Sequence, residues 1–244
     1  MSPRVTAAVA VRVLAQLRRD PRTLALIIGV PCLLETLLKE LFAGQIGVFQ
    51  HIGAPLLGLF PFVTMFLVTS ITMLRERTSG TLERLMTLPL GKLDLLAGYG
   101  VAFALVAAVQ AGVVSALTFG LLGLEVQGPR PVVAALAVAN AVLGTALGLF
   151  VSAFAQTEFQ AVQFMPAIVF PQILLCGVFV GRGSMAAWLR WISDALPLTY
   201  AYDALAHTAV NDLGRRFTVD VAVVCGCILL ALALGALTLR RRTP

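Results

Sequence analysis

Six stretches of the chain, 24–43, 55–74, 93–122, 132–155, 161–180 and 219–239, are each predominantly apolar over a membrane-crossing length. An α-helix needs about 20 such residues to cross the hydrocarbon core of a bilayer. In lipid a backbone must satisfy its own hydrogen bonds, which a helix does within a single segment. The expected fold is therefore an all-α membrane protein of six transmembrane helices. Composition agrees: 59% of the 244 residues are hydrophobic and 12% are charged, with a mean hydropathy of +0.93. Soluble domains carry about 25% charged residues. So few charges cannot coat this much apolar mass, which excludes a soluble enzyme and a disordered chain.

The first stretch is the weakest, because Glu35, Lys39 and Glu40 fall in its second half. Ahead of it, residues 5–17 are apolar but too short to span, and Arg12 interrupts them. Arg12, Gln16 and Arg19 recur at i, i+4 and i+7, the polar stripe of a basic amphipathic helix that lies in the membrane interface. Arg12 also breaks the core that a signal peptide would need, and no small-residue cleavage site precedes Arg18-Arg19-Asp20.

The net charge of +6 sets orientation. Twelve of the eighteen Lys and Arg lie before the first stretch, between the second and third, or after the sixth. The positive-inside rule places those segments, and both termini, in the cytoplasm. The basic residues are too scattered to form a nucleic-acid-binding face. Arg outnumbers Lys sixteen to two, a bias of GC-rich bacterial genomes, so the expected location is a bacterial inner membrane. Cys32, Cys176, Cys225 and Cys227 sit in apolar runs without CxxC spacing, so neither a zinc site nor a disulfide framework is indicated.

Two stripes of small residues bear on packing. Ala104, Ala108, Gly112 and Ala116 repeat every four residues in the third stretch, as do Asn140, Gly144, Gly148 and Ser152 in the fourth. Such stripes let helix backbones approach closely in lipid. Pro166 and Pro171 should bend the fifth. Asn140, Gln163 and Gln172 are polar groups at membrane depth, suited either to an interhelical hydrogen bond or to a substrate path. Glu35 is the only plausible acid well inside a span, within five residues of Lys39 and Glu40. It is expected to line the outer half of a pathway or an inter-subunit seam, paired with Lys39 one turn later.

Between the second and third stretches runs Arg75-Glu76-Arg77-Thr78-Ser79-Gly80-Thr81-Leu82-Glu83-Arg84-Leu85-Met86-Thr87-Leu88-Pro89. Gly80 permits a sharp turn, and Ser79 or Thr81 can cap a short helix. Leu82, Leu85 and Met86 then share one face, with Glu83 and Arg84 elsewhere, and Pro89 ends the helix. A helix of this kind can press into a groove on a cytoplasmic partner or rest on lipid head groups. Catalytic readings fail. Gly91-Lys92 is followed by Leu93, not the Ser or Thr of a phosphate-binding loop. Ser184 stands in Gly-Arg-Gly-Ser, outside a nucleophile motif, and the histidines are His51 and His207 alone.

The pattern from Arg75 through Pro89, followed by Gly91-Lys92, resembles the first cytoplasmic loop of the ABC-2 type transporter permeases, notably the daunorubicin-resistance-like drug exporters. Pro197-Leu198-Thr199-Tyr200 followed by Ala204-Leu205-Ala206-His207 resembles a second family element, with His207 beside Ala206 where an Arg is usual. The resemblance implies one membrane domain over 1–244, with an elbow helix (1–22), a coupling loop (75–92) and an external re-entrant hairpin (181–212). Arg75, Glu76, Gly80, Thr81, Leu82, Glu83, Arg84, Leu85, Met86 and Pro89 would couple it to an ATPase. The chain would bind no cofactor and would not be an enzyme; ATP and Mg would act through an ATP-binding subunit in two copies. The other implied partners are a second permease copy or sister permease, membrane lipid and an amphiphilic drug-like or lipid-like substrate. Export of polysaccharide or haem, and a self-contained channel or secondary transporter, remain the alternatives.

Overall fold

The computed structural model describes residues 2–81 and 91–238, and among them there are helices and no strand. The helices are α1 (Pro3–Arg18), α2 (Pro21–Leu41), α3 (Ile46–Thr78), α4 (Lys92–Gly120), α5 (Arg130–Val151), α6 (Glu158–Phe164), α7 (Phe170–Leu175), α8 (Ala187–Ala195), α9 (Pro197–Ala209) and α10 (Arg215–Leu237). A π-turn, Met165–Val169, joins α6 to α7 around Pro166. A widened turn relieves the clash of a proline ring with the carbonyl one turn earlier.

Among the described residues five segments are long and apolar enough to cross a membrane: Ile46–Thr78, Asp94–Gly120, Arg130–Val151, Glu158–Leu175 and Arg215–Leu237. They match five of the six expected stretches. The fifth begins earlier than its apolar run suggests, where Thr157 caps α6 by accepting from the Gln160 amide, and it ends earlier, just before Gly177, whose φ is 113°. The remaining stretch forms α2, whose 21 residues suffice in length but carry Arg22, Glu35, Lys39 and Glu40. α2 is therefore outside the set of five.

At the centre lies α5, packed against α3, α4, α9 and α10, while α1 lies along α4. Its contact with α3 is the most intimate in the bundle. A Cβ on Gly144 would run into the Phe62 carbonyl, and one on Gly148 would stand 2.5 Å from the Phe66 carbonyl oxygen. Only hydrogen side chains admit this approach. The stripe on α4 behaves otherwise: Gly112 and Ala116 are exposed, whereas Ala107, Gln110, Ala111, Val114 and Thr118 are fully buried. The opposite face turns inward because it carries the volume-filling Tyr99 and Phe103 and polar groups that lipid would penalise.

After α7 the chain makes a 3-10 turn at Arg182–Ser184 and a helical hairpin, α8 and α9, hinged on the single residue Leu196. Ser193 stitches the corner, donating to the Leu175 carbonyl at 2.9 Å and accepting from Thr199 through its own carbonyl at 2.8 Å.

Candidate functional site

Helix α3 has 33 residues, about 50 Å at 1.5 Å per residue, so it outruns an apolar core of about 30 Å. Its last turns carry Arg75, Glu76 and Arg77, and each of the first two is tied to a different helix. Glu76, with 4% of its side chain exposed, accepts from Arg12 Nη2 with both carboxylate oxygens, at 3.1 and 3.0 Å. Arg12 Nη1 donates to the Tyr99 hydroxyl at 3.3 Å. Burial opposes the Arg12 charge, but Tyr99 and Glu76 outweigh it and hold the guanidinium above its usual pKa. Arg75 grips Glu158 through Nε at 2.7 Å and Nη2 at 3.0 Å. Thus α1, α3, α4 and α6 converge on two consecutive residues.

These groups border a cavity of about 450 Å³, with Asp20, Thr23, Ser79 and Thr81 on its other walls. Asp20 caps α2, accepting from the Thr23 hydroxyl at 2.6 Å and its amide at 3.1 Å, and those bonds hold its carboxyl below the usual range. Gly80 has φ of 70°, the left-handed region that glycine adopts freely, where the chain turns off the end of α3. Thr81 Oγ1 lies 2.9 Å from Ser79 Oγ. Leu82, Glu83, Arg84, Leu85, Met86 and Pro89 lie outside the described residues.

The candidate pathway residues are dispersed. Glu35 is fully buried and its carboxylate oxygens have no hydrogen-bond partner among the described residues. Its expected pair with Lys39 is not formed. The i, i+4 spacing permits such a pair, but drawing both charges into an apolar seam costs more desolvation than their attraction returns; Lys39 stays half-buried. Asn140 is buried where α5 meets α3, its amide nitrogen within 2.5 Å of any Cβ placed on Gly58. Gln172 is buried and donates to the Ile168 carbonyl at 3.2 Å, while Gln163 is exposed.

Three features went unread in the sequence. Arg12 reaches Glu76 and Tyr99, two partners far away in the sequence. Gln110 donates to the Ile27 carbonyl at 2.7 Å, joining α4 to α2. Arg182 pairs with Asp194 and, at 2.6 Å, with Asp203. Burial pushes the Asp203 carboxyl up, against the opposing pull of Arg182. Only the clustering of Arg182, Asp194 and Asp203 within one hairpin could have signalled such a knot.

Comparison with known proteins adds the following. The family described as ABC-2 type transporter matches residues 4–209. The linearmycin resistance permease protein LnrN of Bacillus subtilis (strain 168) is 28% identical over 176 residues, 72% of this chain and 44% of that protein. The probable multidrug ABC transporter permease YbhR of Escherichia coli (strain K12) is 26% identical over 157 residues, covering 64% and 43%. ABC transporter G family member 20 of Dictyostelium discoideum is 24% identical over 159 residues, covering 65% and 22%. The chain spans less than half the length of these curated relatives.

Proposed function

The chain belongs to the ABC-2 type transporter family, and on that premise we propose that it is the membrane-spanning permease subunit of an ATP-driven exporter. It moves an amphiphilic drug-like or lipid-like molecule out of the cytoplasm, with ATP and Mg handled by a separate subunit. The observation that carries this reading is the family match over residues 4–209, and two relatives named as permeases for linearmycin resistance and multidrug transport point to the substrate class. In this reading α2 is a sixth span, both termini face the cytoplasm of a bacterial cell, and the chain forms one membrane domain. Residues 1–22 are the elbow, 75–92 the coupling loop and 181–212 the re-entrant hairpin. Two ATP-binding subunits and a second permease copy or sister permease complete the assembly.

The geometry supports a role for the Arg75 end in coupling. A push on the segment after Gly80 reaches Glu76 and Arg75, and through them α1, α4 and α6. Leu82, Leu85 and Met86 would anchor in a groove of the ATPase, where truncating a buried anchor costs about 2 kcal/mol or more, with Glu83 and Arg84 as rim charges worth less. The test measures substrate-stimulated ATPase activity and co-purification with the ATP-binding subunit. Leu85→Asp is expected to abolish one or both while the membrane domain stays folded, and wild-type values for both would remove the assignment. One observation favours a second reading, an ion-coupled carrier: Glu35, buried and without a partner among the described residues, is the type of group that such carriers use. Transport driven by a proton gradient without ATP, and lost in Glu35→Gln, would establish that alternative.

A further inference from the structure

Polar groups also gather at the end of α3 remote from Arg75. His51 and Ile52, in the first turns of α3, line a cavity of about 340 Å³ together with Arg182 and Asp203. Beside it lies a larger hollow of about 690 Å³, walled by Arg182, Asp203, His207, Arg215, Arg216 and Asp220. Its charges fall into two sets. Arg215 and Arg216 open α10, are exposed, and have no ion-pair partner among the described residues. Asp220 is 8% exposed and its carboxylate accepts no hydrogen bond among the described residues; His207 Nε2 lies 3.8 Å from it. Asp203 is engaged by Arg182, and His207 Nδ1 lies 3.3 Å from Asp212. The hollow thus presents two guanidinium groups without an ion-pair partner among the described residues, together with an incompletely compensated carboxylate. Arg216 and Asp220 are one helical turn apart, about 6 Å along the axis.

We propose that this hollow binds a head group that carries a phosphate and a primary ammonium, as in phosphoethanolamine, with Arg215 and Arg216 on the phosphate and Asp220 on the ammonium. A lone anion would set its charge against Asp220, and a lone cation would leave the guanidinium groups unmatched. A dipolar head group of about one helical turn satisfies both through charge-assisted hydrogen bonds. Choline, whose methyl groups cannot donate, is a poorer fit to the carboxylate. The setting suits a lipid. Val219, on the rim, is half exposed, and the helix beyond it turns Leu229, Leu230 and Leu237 outward, a track along which acyl chains can lie.

The experiment mixes the purified full-length protein in detergent with dioleoyl phosphatidylethanolamine, phosphatidylcholine or phosphatidylglycerol and counts retained lipid by native mass spectrometry. Retention of phosphatidylethanolamine is expected to exceed that of the other two by about tenfold, the scale of one charge-assisted hydrogen bond. Arg215→Gln/Arg216→Gln removes that retention, and Asp220→Asn reduces it to the phosphatidylcholine level. Both arginines are exposed, so the double variant keeps its thermal transition. Equal retention of the three lipids by the wild-type protein, or undiminished phosphatidylethanolamine on the double variant, overturns the proposal. Soluble phosphoethanolamine, added as competitor, assigns the source. Displacement of the lipid supports recognition of the head group from either phase, and lack of displacement, with the lipid preference intact, supports a membrane lipid held also by its chains.

Discussion

At the Arg75 end the ion pairs join helices far apart in the chain, Arg12 to Glu76 across 64 residues and Arg75 to Glu158 across 83. At the opposite end Arg182 reaches Asp203 and Asp194, only 21 and 12 residues on, within one hairpin. The first arrangement obliges four helices to share one geometry. The second ties a cap to itself and leaves neighbouring groups free for a ligand. A cross-linked junction passes force between elements, whereas a local knot keeps its disturbances local, and this difference suits the two ends to different tasks.

The sharpest way to break the contrast is Arg12→Ala. It strands the buried Glu76; removing one member of a buried pair costs about 3–5 kcal/mol, here toward the lower end because the Arg12 side chain is 34% exposed. We expect a large fall in the thermal transition of the purified protein and loss of stimulated ATPase activity in the assembled transporter. Unchanged values for both would show that the junction carries nothing. Next in size is Gly144→Leu, which forces a side chain against the Phe62 backbone. Overpacking costs about 1–3 kcal/mol where neighbours can yield, and a carbonyl within a helix yields little. Since α3 links the two ends, folded yield and both functions should fall together; a variant that spares one end would show that the seam is not shared.

Third, Arg182→Ala should cost about 1.5 kcal/mol, the lower range for hydrogen bonds to charged groups, because its side chain is 29% exposed. The transition should drop modestly with ATPase stimulation intact, and a loss of stimulation would erase the distinction between the ends. The smallest effect is acidic. The Asp20 carboxyl is held below its usual range, so the folded state binds that proton less readily than the unfolded chain. Its stabilisation is present above the ordinary carboxylate range and fades as pH falls through the lowered folded value. Asp20→Asn should flatten this part of the acid limb in a stability–pH profile, and an identical limb would assign the slope elsewhere.

The helices themselves were legible in the sequence, because a membrane span needs only a long apolar run, and five of the six expected stretches meet that standard in the structure. Faces were less so. The two small-residue stripes look alike as strings, yet that of α5 adjoins α3 while Gly112 and Ala116 on α4 face outward. The choice depends on what lies on the other side of each helix, and a repeat of four does not record it. Side-chain partners were the least legible. Arg12 fits an amphipathic stripe by spacing, and only the fold brings Glu76 and Tyr99 to it. Glu35 fits an ion pair with Lys39 by the same arithmetic, but the desolvation that decides such a pair is a property of the packed seam. For the candidate coupling segment, Arg75 and Glu76 can be placed, whereas Leu82 to Pro89 stand on resemblance.

Helix α3 has a mechanical asymmetry. Its tightest contact, at Phe62 and Phe66 against the glycines of α5, lies near the middle and can act as a fulcrum. Arg75 is 13 residues from Phe62 and His51 is 11, arms of about 20 Å and 17 Å, nearly balanced. The arms differ in stiffness. Pro55 and Pro61 both fall on the His51 side, where each removes a backbone hydrogen bond, and the Arg75 side has no proline. A tilt imposed at Arg75 would therefore reach the fulcrum with little loss and be taken up as bending beyond it, because one arm is stiff and the other compliant.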